Sequence, residues 1–216
     1  MATKAKIFIV DDHPVMRMGL TQLINSAGDL DVCGEAGSAN ETIENLALLG
    51  QADLVIIDVS LFDRNGLELL KDIRVEYPEL KCLIISSHDE DVYAERALRL
   101  GGRGYVMKNR APDQLVDAIR QVLGGGIFLS PDMTRQMMEA FAGGKTAGSG
   151  LSSLTDRELQ VYRAIGEGKG TREIAELLGI SVRTVDAHRT HIKDKLGLSD
   201  ATELSYQAIR WMESQN

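Results

Sequence analysis

The sequence predicts an α/β domain built on a five-stranded parallel sheet, followed by a smaller domain made only of helices. Three observations predict it. Over the first 123 residues, short apolar runs alternate with longer amphipathic stretches, the pattern of repeated strand–helix units. A small, polar, glycine-rich stretch, GGKTAGSG at 143–150, then interrupts the chain. Beyond it no strand-like run recurs, and apolar residues fall only at helical spacing.

The strand candidates, in order, are 7–10, 31–36, 54–57, 82–86 and 104–107. Helical patterns follow at 15–27, 40–49, 67–76, 92–100 and 112–123. Gly28, Gly50 and Gly101 stop three of these helices, Pro112 opens the last, and Gly124-Gly125-Gly126 ends it. FLSPDMTRQMMEAF adds a short amphipathic helix that starts near Pro131. The predicted organisation is therefore a first domain over 1–124, a linker over 125–150 with a short helix near 131–142, and a second domain over 151–216.

Composition sets bounds on function. The 216 residues, 44% hydrophobic and 26% charged, suit a soluble chain that buries one large or two small cores. No run is long enough to cross a membrane, and the N-terminus lacks an apolar signal segment, so the cytoplasm is the expected compartment. Cys33 and Cys82 sit in separate apolar runs and read as lone buried thiols. The formal charge of -8 is uneven: residues 1–150 hold 15 Lys+Arg against 22 Asp+Glu, and residues 151–216 hold 9 against 10. Net charge therefore gives no sign of nucleic-acid binding, which has to be argued from local clustering.

In a parallel sheet of this kind, ligands sit beyond the carboxyl ends of the strands. The first run, in IFIVDDHP, ends in Asp11 and Asp12, the third in Asp58, the fourth in Ser86 and the fifth in Lys108. Adjacent carboxylates at the edge of a core repel, so something positive belongs between them. Grouped carboxylates suit a small hard cation such as Mg2+, which takes oxygen ligands. Asp58 is then placed to act as a nucleophile towards a phosphoryl group. Lys108 would cover the remaining charge and Ser86 would donate a hydrogen bond. Singly, each residue reads as an ordinary solvated loop residue. Together, on successive strand–helix units, they read as a site.

IFIVDDHP, DLVIIDVS, LIISSHDED and GYVMK resemble the receiver domain of bacterial two-component response regulators, specifically the NarL/FixJ branch, over residues 5–123. The resemblance implies a flavodoxin-like (βα)5 fold with Asp58 as phosphoacceptor. It implies a magnesium site of Asp11, Asp12, Asp58 and the backbone carbonyl of Ser60. Ser86 becomes the hydroxyl that moves towards the phosphoryl group, Lys108 its ionic partner, and Tyr105 an aromatic switch residue that rotates inward on activation. One departure is Phe62, where this branch usually has proline. Proline would restrict that loop and phenylalanine does not, so either the loop is more mobile or Phe62 supplies an apolar contact.

In the second domain, Thr155 followed by Glu158 is a capping box opening a helix with Leu159, Val161, Tyr162 and Ile165. Residues 171–178 form a second helix stopped by Gly179. A third starts at Ser181 or Val182 and runs to about Leu196, so the pair makes a helix-turn-helix. Val182, Val185 and Ile192 fall at core spacing. Arg183, Thr184, His188, Arg189, Lys193 and Lys195 give the third helix a basic bias suited to a major groove.

TREIAELLGISVRTVDAHRTHIKDKLG resembles a LuxR-type DNA-binding domain. The resemblance makes Arg183, Thr184, Val185, His188 and Arg189 DNA contacts, Lys195 a phosphate contact, and Thr171 and Arg172 backbone contacts from the preceding helix. Lys169 and Gly170 depart from its usual pattern: Lys169 would add a phosphate contact, and Gly170 would weaken the second helix's cap. Ser199 or Asp200 opens a fourth helix to Trp211. Leu204 and Ala208 on it are expected either to pair two domains into a dimer on a pseudo-palindromic site or to pack within the monomer.

The expected function is a DNA-binding transcriptional regulator, switched by a sensor histidine kinase that phosphorylates Asp58 with Mg2+, and dimeric when phosphorylated. No chemistry beyond its own phosphoryl transfer and hydrolysis is expected. The alternative is a constitutive DNA-binding protein whose first domain serves only as an interaction module. An aspartyl phosphatase fits poorly, because such enzymes of the haloacid-dehalogenase type carry D-x-D after the first strand, whereas Asp11 and Asp12 are adjacent.

Overall fold

The computed structural model describes residues 3–45, 50–142 and 150–214. Within it the chain forms two compact units, Met1–Arg135 and Gln136–Asn216.

The first unit alternates strand and helix: β1 (Ala5–Val10), α1 (Pro14–Ser26), β2 (Leu30–Ala36), α2 (Ala39–Glu44), β3 (Leu54–Asp58), α3 (Gly66–Glu76), β4 (Lys81–Ser86), α4 (Glu90–Arg99), β5 (Tyr105–Met107) and α5 (Ala111–Leu123). All pairings are parallel, in the order β2-β1-β3-β4-β5. Helices cover both faces, so the central strands are apolar along their length rather than alternating. Every residue of β3 is buried, as are the last four of β1. The order reverses direction after β1, and the strands' carboxyl ends there frame the crevice where ligands bind in such sheets.

Helix starts match the local chemistry. Pro14 stands in the first turn of α1, Ser38 accepts from the Glu41 amide at the start of α2, and Asn65 and Asp89 cap α3 and α4. Helix α2 is shorter than the sequence pattern over 40–49: its described part ends at Glu44, with Asn45 as cap, and 46–49 lie outside the described residues. Most of the expected 143–150 linker also lies outside them. The helix expected near 131–142 is α6, Pro131–Ala142.

The second unit holds α7 (Asp156–Gly166), α8 (Thr171–Leu178), α9 (Val182–Leu196) and α10 (Ala201–Ser214). The Thr155–Glu158 capping box is present in both directions, and Gly179 and Gly197 end their helices at φ +64° and +67°. Gly166 lets α10 reach α7: a Cβ there would lie 2.6 Å from the Ala208 carbonyl oxygen.

Candidate functional site

Strand register assembles the first site. Val10 pairs with Ile57, Asp58 with Ile85, and Ser86 with Met107. Asp11, Asp58, Ser86 and Lys108 therefore end four neighbouring strands at nearly one level. All four are buried. Lys108 Nζ lies 2.7 Å from Asp11 Oδ2 and 2.7 Å from Asp58 Oδ2. Asp12 is shallower, with its Oδ1 2.6 Å from His13 Nδ1. In this structure the Lys108 ammonium thus lies between Asp11 and Asp58, while the His13 ring lies against Asp11 and Asp12.

Electrostatics follow from burial. Burial pushes the Asp58 carboxyl up, the Lys108 ammonium pulls it back, and the net position stays above the ordinary carboxylate value. Burial would lower Lys108, but Asp58 and Asp11 outweigh it and hold the ammonium protonated above its usual range.

Asp11, Asp12, His13 and Asp58 each offer a ligand atom, all within 4.8 Å of one another. Asp58 Oδ1 is buried with no hydrogen-bond partner. An uncompensated carboxylate oxygen beside two other carboxylates fits a hard cation with oxygen ligands, as Mg2+ requires. His13 is the weaker candidate ligand for such an ion, being nitrogenous and 65% exposed.

Around this cluster, Ser86 Oγ accepts from the His88 amide at 3.0 Å, and Tyr105 donates its hydroxyl to the His88 carbonyl at 2.8 Å. His88 Nε2 lies 2.6 Å from Ser60 Oγ, and its ring stacks on Tyr93. Tyr105 is 1% exposed, and burial pushes its phenol well above the ordinary value. The ring expected to rotate inward is already inside in this structure. Phe62 is 78% exposed.

The second candidate site lies on α8 and α9. Ser181 caps α9 by accepting from the Thr184 amide. Arg172, Arg183 and Thr184 are exposed, while Thr171, His188 and Arg189 are half-buried. These six share the helix-turn-helix. Two expectations need correction. Val185 is fully buried, because its place on α9 faces the core with Ile192, so it offers no DNA contact. Val182, expected in that core, is 42% exposed because it is the first residue of the helix. The Lys195 Nζ pairs with the buried Glu158 at 2.6 Å, with the lysine side chain 36% exposed.

Burial pushes the Glu158 carboxyl up, but Lys195 and the Thr155 cap outweigh it and leave it below the ordinary value. At the other departure, Lys169 pairs with Glu167. The Gly170 amide donates to Glu173 Oε2 at 2.7 Å, which supplies half of a cap that glycine's missing side chain cannot.

For Leu204 and Ala208 the structure shows the second alternative, packing within the monomer. Both are fully buried within the chain, because the close approach at Gly166 packs α10 onto α7. Tyr162 and Trp211 complete that contact with ring centroids 5.6 Å apart. Tyr206 and Ile209 are large apolar residues of α10 that stay exposed.

Sequence reasoning gave no role to His13 or His88 and did not pair Lys195 with Glu158. His13 and His88 lie in the very motifs that carry Asp11 and Ser86, so proximity alone could have flagged them. The Lys195–Glu158 pair spans 37 residues, and no local pattern announces it.

Fold and site together define a two-part regulator: an α/β unit with an acid–lysine pocket and a helix-turn-helix unit. The family described as response regulator receiver domain matches residues 7–120, and that of bacterial regulatory proteins, luxR family, matches residues 152–208. The chain is 36% identical over 211 residues to the oxygen regulatory protein NreC of Staphylococcus carnosus, covering 95% of this chain and 97% of that one. The NreC of Staphylococcus aureus strain MRSA252 is 34% identical over the same coverage.

Among solved structures, RcsB of Salmonella enterica serovar Typhimurium bound to promoter rprA, in the presence of phosphomimetic BeF3-, aligns with TM-score 0.71 at 26% identity. It covers 94% of this chain and 98% of that one. RcsB bound to promoter P1flhDC aligns with TM-score 0.73 at 25% identity, covering 98% of this chain and 100% of that one. The chain belongs to the response regulators of the NarL/FixJ family, with a receiver domain and a LuxR-type DNA-binding domain.

Proposed function

We propose that this response regulator is controlled by phosphorylation of Asp58. A sensor histidine kinase supplies the phosphoryl group, and the modified chain changes its dimerisation and its binding to a pseudo-palindromic promoter. The observation that carries the reading is Lys108 Nζ at 2.7 Å from both Asp11 and Asp58, beside a buried Asp58 oxygen without a hydrogen-bond partner. That is an anionic nucleophile with its counter-charge in place.

An Asp58 oxygen attacks phosphorus, the bond from phosphorus to the donor breaks, and the leaving group departs with its electron pair. Transfer of this kind needs positioning and charge stabilisation more than covalent assistance. Asp11, Asp12, Asp58 and the Ser60 carbonyl would hold Mg2+, which when bound supplies positive charge to the phosphoryl oxygens. Lys108 holds Asp58 ionised for attack and stays beside the product's charge. Ser86 turns its hydroxyl to a phosphoryl oxygen, and Tyr105, tied to the same His88 segment, follows that movement.

Arg183, Thr184, His188 and Arg189 read or grip the duplex, with Thr171 and Arg172 on its backbone. The solved RcsB structures bound to promoters in the presence of phosphomimetic BeF3- support the DNA-binding part of this reading. Domain limits of 1–124, 125–150 and 151–216 and a cytoplasmic location belong to the same reading. Among the described residues, no helix is long and apolar enough to cross a membrane. The test is peptide mapping after incubation with Mg2+ and a small phosphodonor. One phosphoryl group is expected on the peptide containing Asp58 and none in Asp58→Ala, whereas modification elsewhere refutes the assignment.

A further inference from the structure

The loop between β3 and α3 starts directly after Asp58 and carries Ser60 and the exposed Phe62, so its order decides how well the pocket is built. No proline fixes it at position 62. Its far anchor is instead Asp63. One carboxylate oxygen of Asp63 accepts from the Ala39 amide at 3.1 Å, and the other accepts from the Asn40 amide at 2.9 Å. Both amides belong to the first turn of α2, where a helix has no internal acceptors for them. Ser38 serves the next amide, that of Glu41, from α2's own side.

The first free donors of a six-residue helix are thus shared between its own cap and a carboxylate 23 and 24 residues away. So short a helix is marginal alone and depends on such partners. The dependence runs both ways. A carboxylate held by two amides at a helix N-terminus is fixed in position, and the loop is fixed with it. Asp63 also accepts from the Arg64 amide at 3.0 Å, which locks its own turn. The loop's other end is held where Asn65 caps α3 and the Gly66 amide donates to the Val59 carbonyl.

We propose that Asp63 is a positioning residue that orders the phosphoacceptor loop by capping α2, so that α2 and the pocket are stabilised together. Anything that orders the loop by binding at Asp58 and Ser60 then stabilises α2, and loss of α2's cap weakens that binding, as linkage requires. The proposal rests on the phosphoacceptor reading for its ligand, but not for the clamp itself.

The test compares full-length wild type, Asp63→Ala and Asp63→Asn. Amide hydrogen exchange is measured first without ligand. The clamp predicts that Asp63→Ala speeds exchange at least tenfold in both 37–45 and 59–66 while the β1, β3 and β4 amides stay as slow as before. Exchange altered in only one segment, or in neither, overturns the proposal. Faster exchange throughout the receiver strands also counts against it, because that is general destabilisation.

Mg2+ is then titrated calorimetrically. Asp63→Ala is expected to bind several-fold more weakly. Removing a nearby negative charge would do that too, so Asp63→Asn decides. It lacks the charge but keeps one acceptor oxygen, and recovers much of the affinity if anchoring matters. Equal losses in Asn and Ala mean electrostatics and contradict the proposal. If wild type itself binds neither Mg2+ nor beryllofluoride, the phosphoacceptor reading fails, and the exchange result alone judges the clamp.

Discussion

Replacing Lys108 by methionine removes the one ammonium from between Asp11 and Asp58 while keeping most of the side chain's volume. Its Nζ is 2.7 Å from each carboxylate, and its side chain is 8% exposed, so solvent does little to screen the loss. Breaking a buried ion pair costs about 3–5 kcal/mol. A proton taken up by one carboxylate relieves part of that, so about 3 kcal/mol is expected at pH 8. For a domain of this size the loss corresponds to a fall in Tm of roughly 10 °C.

The pH dependence has a definite sign. Without Lys108, a carboxylate that burial already pushes up rises further above its unfolded value of about 3.9. The destabilisation is complete above the folded pKa and disappears as pH falls towards the unfolded one. The gap between variant and wild type therefore narrows from pH 8 to pH 5. Mg2+ narrows it too, by supplying the missing charge. Calorimetry is the suitable assay, because the chain's one tryptophan, Trp211, lies in the other unit. A variant that melts within about 2 °C of wild type at pH 8 without metal would refute the ion cluster as described. So would a gap that does not change with pH.

Three further predictions follow the same geometry. Gly66→Ala would put a Cβ 1.9 Å from the Asp58 carbonyl oxygen, so backbone at the phosphoacceptor must move. Overpacking of this kind costs about 1–3 kcal/mol, and both the receiver's Tm and its phosphorylation rate should fall, read by calorimetry and donor kinetics. Glu158→Gln should cost about 1–2 kcal/mol at pH 7, discounted because Lys195 is partly solvated. Because Glu158 sits below its ordinary 4.5, that stability is present above 4.5 and lost as pH falls through the folded value, so melts of the variant should be the flatter against pH. Arg183→Ala should weaken DNA binding by about 1–3 kcal/mol if the guanidinium reads a base. If it grips a phosphate instead, binding should weaken evenly across sequences and the salt slope should fall by about one. Unchanged affinity in a salt titration would remove Arg183 from the interface.

The parallel sheet was legible because its strands are buried on both faces and so stand out as continuous apolar runs. Their ends were legible for the same reason: a charge that follows such a run has to lie at the rim. That places Asp11, Asp58, Ser86 and Lys108 at one rim. Helical faces carry less information. Val185 belongs both to a basic stretch and to a core-spaced row, and only packing settled that it points inward. Leu204 and Ala208 read equally as partner contacts or core, until Gly166 brought α10 against α7. The Lys195–Glu158 pair was not legible because its two residues lie in different helices. The Asp63 clamp was invisible for a related reason, since its acceptors and donors meet only after β1 has been laid between β2 and β3.

The most direct test of phosphorylation control is DNA binding and solution mass for wild type and Asp58→Ala, each with and without a small phosphodonor in Mg2+. The account predicts tighter promoter binding, or a shift from monomer to dimer, with donor in wild type only. Equal binding and equal mass in all four samples would contradict it and leave a helix-turn-helix protein whose receiver is not the switch.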